Sequence, residues 1–360
     1  MTVTRFCILG CGGFIGSHLL DRLLMEPAIE VIGIDLASTK IKRHLTNPVF
    51  SFISLDIENS VAVRPFIQRC DIVVSLAALC NPSLYNTVPI RVIENNFNQP
   101  RAVVAMCAEY KKRLIHFSTC EVYGRTVAGY VTGPGSAPIE PFNEDRSPYV
   151  LGPISAQRWT YACAKQLLER LIYAYGFERG LEFTIIRPFN FIGPRMDFIP
   201  GIDGEGVPRV IACFMEALLF QKPLKLVDGG KNRRTFTAID DAINAIMAII
   251  KKPDKAKGQV FNIGNPANET TIADLARRMK DMYQKLTPKS AGRAIDIVNV
   301  TSEEFYGKGY EDSDRRVPDI SKAGDLLGWK PVIGLDEALC STMRSYLEEY
   351  GKFAAETKRE

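Results

Sequence analysis

The chain lacks a long apolar run, a basic arm and paired cysteines, and each absence removes a class of function. A membrane-spanning helix needs about 20 consecutive apolar residues, and no stretch here supplies them, so no membrane partner is expected. The opening Met1-Thr2-Val3-Thr4-Arg5-Phe6 leads straight into an apolar strand, without the h-region or small-residue cleavage site of a secretory leader. Lysine and arginine number 45 against 41 aspartates and glutamates, a formal net charge of +4 with the signs interspersed, so no nucleic acid is expected as partner. That mild positive bias suits an anionic small molecule. The nine cysteines are odd in number and scattered, and Cys7 and Cys11 straddle a glycine-rich turn in poor zinc geometry. No metal is expected, and a reduced, cytoplasmic protein is the simplest reading.

What is present is an ordinary globular composition over 360 residues, enough for one large α/β domain with a smaller appended lobe. Short β-branched runs alternate with longer helical patterns through the first half, which is the mark of a parallel sheet. Strands are expected at 6–9, 31–35, 49–55, 71–76, 114–118 and 183–187, and helices at 14–25, 89–110 and 160–175. Residues 125–155 are rich in Gly, Pro and Ser and too long for a plain connector, so they are expected to form a functional loop. After Arg187 the alternation breaks at Pro188, Gly193, Pro194, Pro200 and Gly201. The expected division is a dinucleotide-binding part, 1–188, a smaller C-terminal substrate-binding lobe, 189–350, and a frayed tail, 351–360. Returns to the main sheet are expected near 234–237 and 260–263.

Gly10-Cys11-Gly12-Gly13-Phe14-Ile15-Gly16 follows the first strand and opens the first helix. Gly10, Gly13 and Gly16 let the backbone approach a pyrophosphate, and the N–H groups at Phe14 and Ile15 face it with the positive end of the helix dipole. Asp35, at the end of the second strand, is the acid expected to take the adenosine ribose hydroxyls and to repel a 2′-phosphate. NAD is therefore expected over NADP, although Lys40, Lys42 and Arg43 lie close by. Asp56-Ile57 and Ala77-Ala78 end the next two strands, at an adenine edge and a close-packing site. These features together predict a Rossmann-type doubly wound parallel sheet.

Tyr161 and Lys165 stand at i and i+4, on one face of a helix. A tyrosine with a pKa near 10 is a weak base at neutral pH, and a nearby ammonium favours its phenolate. Tyr161 is then the expected base for a carbinol proton, with Thr119 hydrogen-bonded to the reacting oxygen. Cys120 and Glu121 follow directly. A carboxylate there points to acid–base work at a neighbouring carbon, beyond plain oxidation and reduction. A 4-epimerase needs no such group, a 4,6-dehydratase pattern wants Asp where Cys120 stands, and a non-catalytic NAD-binding protein would be expected to lose Tyr161 or Lys165.

Over nearly its whole length the chain resembles an extended short-chain dehydrogenase/reductase. Residues 117–124, 157–170, 182–206 and 225–230 are very similar to the UDP-apiose/UDP-xylose synthases of plants. Arg187-Pro188-Phe189-Asn190 and Tyr306-Gly307-Lys308-Gly309-Tyr310 are also similar to the UDP-glucuronate decarboxylase domain of the bacterial polymyxin-resistance enzyme. The resemblance implies that Tyr161 and NAD oxidise C4 of UDP-glucuronic acid and that the β-keto acid so formed loses carbon dioxide. UDP-apiose, UDP-xylose or the released UDP-4-keto-pentose follows. It implies catalytic roles for Glu121, Arg158 and Arg316, with Arg315 leaving that match open by one position, and for Cys80 and Cys120 in a retro-aldol branch. It assigns Asn190, Lys225, Arg234 and Tyr310 to the UDP-sugar, Tyr85 to the cofactor and sugar, and a homodimer to the helices at 89–110 and 160–175. Two departures stand out: Phe191 where the family has Trp, and the divergent loop 125–155.

Overall fold

The computed structural model describes residues 2–132, 140–204, 206–288, 295–306 and 312–356. Seven strands form the main sheet: β1 (Thr4–Leu9), β2 (Ile29–Asp35), β3 (Phe50–Ser54), β4 (Ile72–Ser75), β5 (Arg113–Phe117), β6 (Phe183–Pro188) and β7 (Gln259–Ile263). Their order is β7-β6-β5-β4-β1-β2-β3, and every neighbour pair is parallel. Parallel strands are covered on both faces, which is why β4 and β5 are buried at every position.

The period of two in a strand sorts β1 between two cores. Phe6 and Ile8 enter the core made with α1 (Phe14–Leu23) and with later helices of the chain. Cys7 and Leu9 enter the other, with α2 (Ser60–Arg69), α3 (Gln99–Glu109) and α4 (Thr160–Arg179). All nine cysteines are free, and Cys7, Cys11, Cys70 and Cys107 are buried packing residues.

The sequence placed these strands and their order of appearance, with three differences. The helix expected at 89–110 is interrupted. Pro89–Ile93 passes into a π turn, Glu94–Asn98, before α3. The widened turn lets the buried Asn96 amide donate to Leu79 O at 2.9 Å and to Val92 O at 2.8 Å. Of the two segments expected back in the main sheet, only β7 returns, taking the free edge of β6. Arg233–Thr235 instead pairs with Glu269–Thr271 and Arg315–Arg316 in a separate three-stranded sheet, and Thr237–Ala238 pairs with Phe191–Ile192. β6 has a single open edge, and the longer apolar run occupies it. The loop after Arg125 also carries regular structure, with a short helix at Val127–Thr132 and bridges from Gly124 to Val150 and Phe142 to Pro318. Among the described residues no helix is long and apolar enough to cross a membrane.

Candidate active site

Parallel strands deliver their C-terminal ends to one edge, and β1 and β4 diverge there into helices on opposite faces, leaving a crevice. Gly10, Asp35, Ala77 and Thr119 all follow strands that end at this edge. Gly10 takes φ +93°, open to glycine but strained for other residues, and a Cβ on Gly16 would stand 2.2 Å from Gly10 O. Gly13 caps α1 without a side-chain hydrogen bond, and no acid lies in the first turn, so the N–H groups around Phe14 and Ile15 remain open to phosphate. Asp35 accepts from Gly12 N at 2.8 Å and Leu36 N at 2.7 Å, which fixes its carboxylate against the glycine turn. The nearby cations point elsewhere. Arg43 pairs with Asp21, and Lys40 reaches Met196 O at 3.4 Å. Ala77 N donates to Leu9 O at 3.0 Å, close beside Gly10. Asp56 accepts from Glu58 N at 2.9 Å just past β3, and Ile57 packs on the core. The turn, the uncapped helix and the fixed acid fit a dinucleotide without a 2′-phosphate.

Tyr161 and Lys165 lie on the buried face of α4. Lys165 Nζ donates to Phe117 O at 3.0 Å, and burial brings its pKa down to about 8. The Thr119 hydroxyl accepts from Glu121 N at 3.1 Å and lies close enough to the Tyr161 phenol to favour its ionised form. Burial, with Cys80 and Glu121 adding to it, pushes the Tyr161 phenol well above its ordinary value. The ammonium expected to favour the phenolate is thus held by a backbone carbonyl. Tyr85 was expected along the cofactor and sugar. It is fully buried in the single chain and stacked on Tyr161 with ring centroids 5.0 Å apart. Arg158 lies over the other aromatic surface of Tyr85, 5.4 Å from its centroid.

In front of these residues opens a cavity of about 370 Å³ lined by Cys80, Glu121, Arg158, Asn190, Lys225, Arg234 and Arg316. Seven residues singled out from sequence thus share one space. Arg158 Nη1 donates to Glu121 at 2.6 Å, and Arg316 Nη1 lies 3.7 Å from the same carboxylate. Burial works against the Glu121 charge, but Arg158 and Arg316 hold its carboxyl below the ordinary value. Cys120 does not line the cavity. It is buried against Arg316, and burial raises its thiol more than that guanidinium lowers it. Asn190, at φ +41°, donates to Thr235 O at 2.8 Å, which turns it toward the lobe. Tyr310 lies outside the described residues.

Alternation along the short strand Arg315–Arg316 resolves which arginine faces inward. Arg316 is buried in the cavity wall. Arg315 points away and forks onto Glu269 at 2.6 and 2.8 Å. The sequence reading missed Asp312, which accepts from Arg234 at 2.6 Å, Arg316 at 3.1 Å and Arg158 at 3.4 Å. Burial opposes its charge, yet these three guanidiniums bring its carboxyl down to about 2. Its one sequence signal was an acid four residues before Arg316. Arg209, which forks onto Asp197 at 2.9 Å and also lines the cavity, had no such signal in its Gly- and Pro-rich stretch. Around the cavity five cations, Arg158, Arg209, Lys225, Arg234 and Arg316, face three carboxylates, Glu121, Asp228 and Asp312, an excess that favours an anionic ligand. Among the described residues no cluster of metal ligands occurs.

The chain is 48% identical to UDP-D-apiose/UDP-D-xylose synthase 1 of Arabidopsis thaliana, over 96% of this chain and 93% of that one. Its fold matches the crystal structure of PbgP3 protein from Burkholderia pseudomallei with a TM-score of 0.83, at 34% identity and 99% coverage of both chains. It also matches UDP-glucuronic acid 4-epimerase from Bacillus cereus, solved with UDP-glucuronic acid and NAD, with a TM-score of 0.78 at 26% identity, over 96% of this chain and all of that one. Residues 6–264 match the NAD dependent epimerase/dehydratase family, and with that match, the parallel sheet and the glycine turn, the chain belongs to this family.

Proposed function

We propose that the chain is an NAD-dependent UDP-glucuronate decarboxylase that forms UDP-apiose and UDP-xylose. The observation that carries this reading is the set of arginines Arg158, Arg234 and Arg316 gathered on Glu121 and Asp312 in a cavity whose Cys80 and Glu121 lie close to Tyr161. A 4-epimerase acting on a neutral sugar has no use for so many charges beside the oxidised carbon. The name of the Arabidopsis relative and the UDP-glucuronic acid in the Bacillus structure support the same substrate.

Bound NAD supplies the acceptor and later donor of hydride at C4, with a positive ring charge near the phenol. The side chains do the rest. Tyr161 takes the proton of the C4 hydroxyl while Thr119 holds that oxygen. Oxidation makes the C5 carboxylate a β-keto acid. The C5–C6 bond then breaks, its electron pair moves toward the C4 ketone, and carbon dioxide leaves. Arg316 and Arg158 hold the carboxylate before it departs, and Glu121, kept ionised by them, manages the proton returned to C5. Lys225 and Arg234 take the diphosphate. For UDP-apiose the C2 hydroxyl gives up its proton and the C2–C3 bond breaks, the C4 ketone receiving the electrons as an enediolate. C4 then attacks the C2 aldehyde, which contracts the ring and leaves C3 as an exocyclic aldehyde for reduction. Cys80 in the cavity wall serves those proton transfers, and Cys120 acts on them through Arg316.

The test is incubation of the pure protein with UDP-glucuronate and NAD. Carbon dioxide release with UDP-pentoses identified by NMR is the expected result, and a UDP-galacturonate product without gas would overturn it in favour of epimerisation. The reading includes a homodimer through the helices around Pro89–Ile93 and α4, supported by the exposure of Ile90, Ile93, Leu167 and Tyr173 on them. It also includes a reducing, cytoplasmic setting, in keeping with nine free thiols.

A further inference from the structure

Behind the cavity wall, and touching none of the groups assigned to substrate, one guanidinium joins several separate elements. Arg187, on β6, is buried, with 3% of its side chain exposed. Its Nε and Nη2 fork onto Glu169 at 3.0 and 2.6 Å. Its Nη1 donates to Tyr123 Oη at 2.7 Å, and Nη2 also donates to Tyr149 Oη at 2.6 Å. The Tyr123 hydroxyl donates in turn to Asn262 Oδ1, on β7, at 2.8 Å. Burial opposes the Arg187 charge, but Glu169 more than restores it, so the hub is ionised at every working pH.

The partners matter for where they sit. Glu169 is one turn beyond Lys165 and two beyond Tyr161, on the same face of α4. Tyr123 ends the 3-10 turn Cys120–Tyr123, two residues after Glu121. Tyr149 belongs to the Gly-, Pro- and Ser-rich loop, residues 125–155. The helix that carries the C4 base and the turn that carries the groups for the neighbouring carbons are therefore bolted to each other through one buried side chain. Tyr123 is held face to face with Phe142 at 4.6 Å and beneath the Arg187 guanidinium at 4.7 Å, so the bolt has little room to shift.

We propose that Arg187, with Glu169 and Tyr123, is a positioning set that fixes the spacing between the Tyr161 and Glu121 machinery and thereby sets how the 4-keto-pentose is partitioned among UDP-apiose, UDP-xylose and release. This rests on the decarboxylase reading above. The physical ground is that the two sets of groups act in turn on one intermediate. Reduction at C4, once C5 is protonated, needs the Tyr161 set alone, whereas cleavage of C2–C3 followed by ring contraction and reduction also needs the groups of the Cys120–Tyr123 turn in register. A small slip between α4 and the turn costs the second route more than the first.

The test uses the full-length enzyme with NAD and UDP-glucuronate and reads the product distribution by NMR together with KM and thermal stability. Tyr123→Phe removes the shared hydroxyl and Glu169→Gln weakens the fork. Each is expected to lower the UDP-apiose share relative to UDP-xylose and released 4-keto-pentose by about threefold, with KM within about twofold of wild type. The double variant is expected to shift the distribution no further than the stronger single one, because both act through the same guanidinium. A merely structural role would lower total turnover and melting temperature with the distribution unchanged, and that result overturns the inference. If Tyr123→Phe fails to fold, Tyr149→Phe, at the more exposed end of the hub, and Glu169→Gln carry the same comparison. Carbon dioxide release by the wild type reports on the decarboxylase reading separately. Its absence overturns that reading and this inference together, whereas normal release with an unmoved distribution in the variants overturns this inference alone.

Discussion

Tyr161 sits where its proton is hard to remove, walled by Tyr85 and raised by burial and by Cys80 and Glu121. Loss of its hydroxyl should therefore remove the base without emptying the cavity. Tyr161→Phe is expected to lower kcat by about 10²- to 10⁴-fold while titration calorimetry finds UDP binding little changed. Asp312 offers a second residue-scale prediction. Its carboxyl is depressed in the folded protein from an ordinary 3.8 to about 2. The stabilisation is thus present above pH 4 and is lost as pH falls through the folded value, since the unfolded chain then binds the proton first. The size is ~2 kcal/mol. Thermal unfolding should separate wild type from Asp312→Asn at pH 7, and the difference should shrink steadily between pH 4 and pH 2. At this scale the sequence carried much of the site. Glu121 and Arg158 stood in runs with strong family likeness, and Arg316 came from a family match open by one position. It left Arg315 and Arg316 unresolved because only a strand's alternation distinguishes neighbours, and it missed Asp312 because an acid earns meaning there only once Arg158 and Arg234 fold onto it.

Among the elements, α1 has the tightest constraint. A methyl on Gly16 would lie 2.2 Å from Gly10 O and 2.8 Å from Cys11 Cα, both backbone atoms that cannot rotate away. Gly16→Ala should lift the helix N-terminus off the turn and weaken NAD binding by more than about tenfold, read by titration, while a surface change such as Lys252→Ala leaves it unaltered. The parallel strands were readable because each is a short β-branched run bounded by turn residues. The π turn at Glu94–Asn98 was not, since one extra residue per turn leaves no mark in a pattern of apolar spacing. The destination of Arg233–Thr235 was equally hidden, because a three-residue strand reads alike wherever it pairs.

For the whole molecule, the proposed homodimer makes a direct demand on the exposed apolar side chains of the helices around Pro89–Ile93 and α4. Ile90 is 75% and Leu167 51% exposed in the single chain. A charged pair of substitutions, Ile90→Glu with Leu167→Glu, should move sedimentation from dimer to monomer, and an unchanged sedimentation coefficient would refute the assignment of that face. The doubly wound architecture was legible from the order of strands and helices, whereas the return of β7 beside β6 fixes something the sequence could only outline. Everything from Phe189 to Gly258 leaves the sheet and re-enters it at the adjacent position. This first part of the lobe is therefore fastened at both ends, while the chain after Ile263 supplies the strand partners of Leu224–Val227 and Arg233–Thr235. Cutting the chain after Pro188 would strip β6 of its outer neighbour and leave a row of unpaired amides along a buried apolar strand. Such a fragment should self-associate on expression, so anyone seeking the dinucleotide half alone should keep residues 259–263 by circular permutation instead of by truncation.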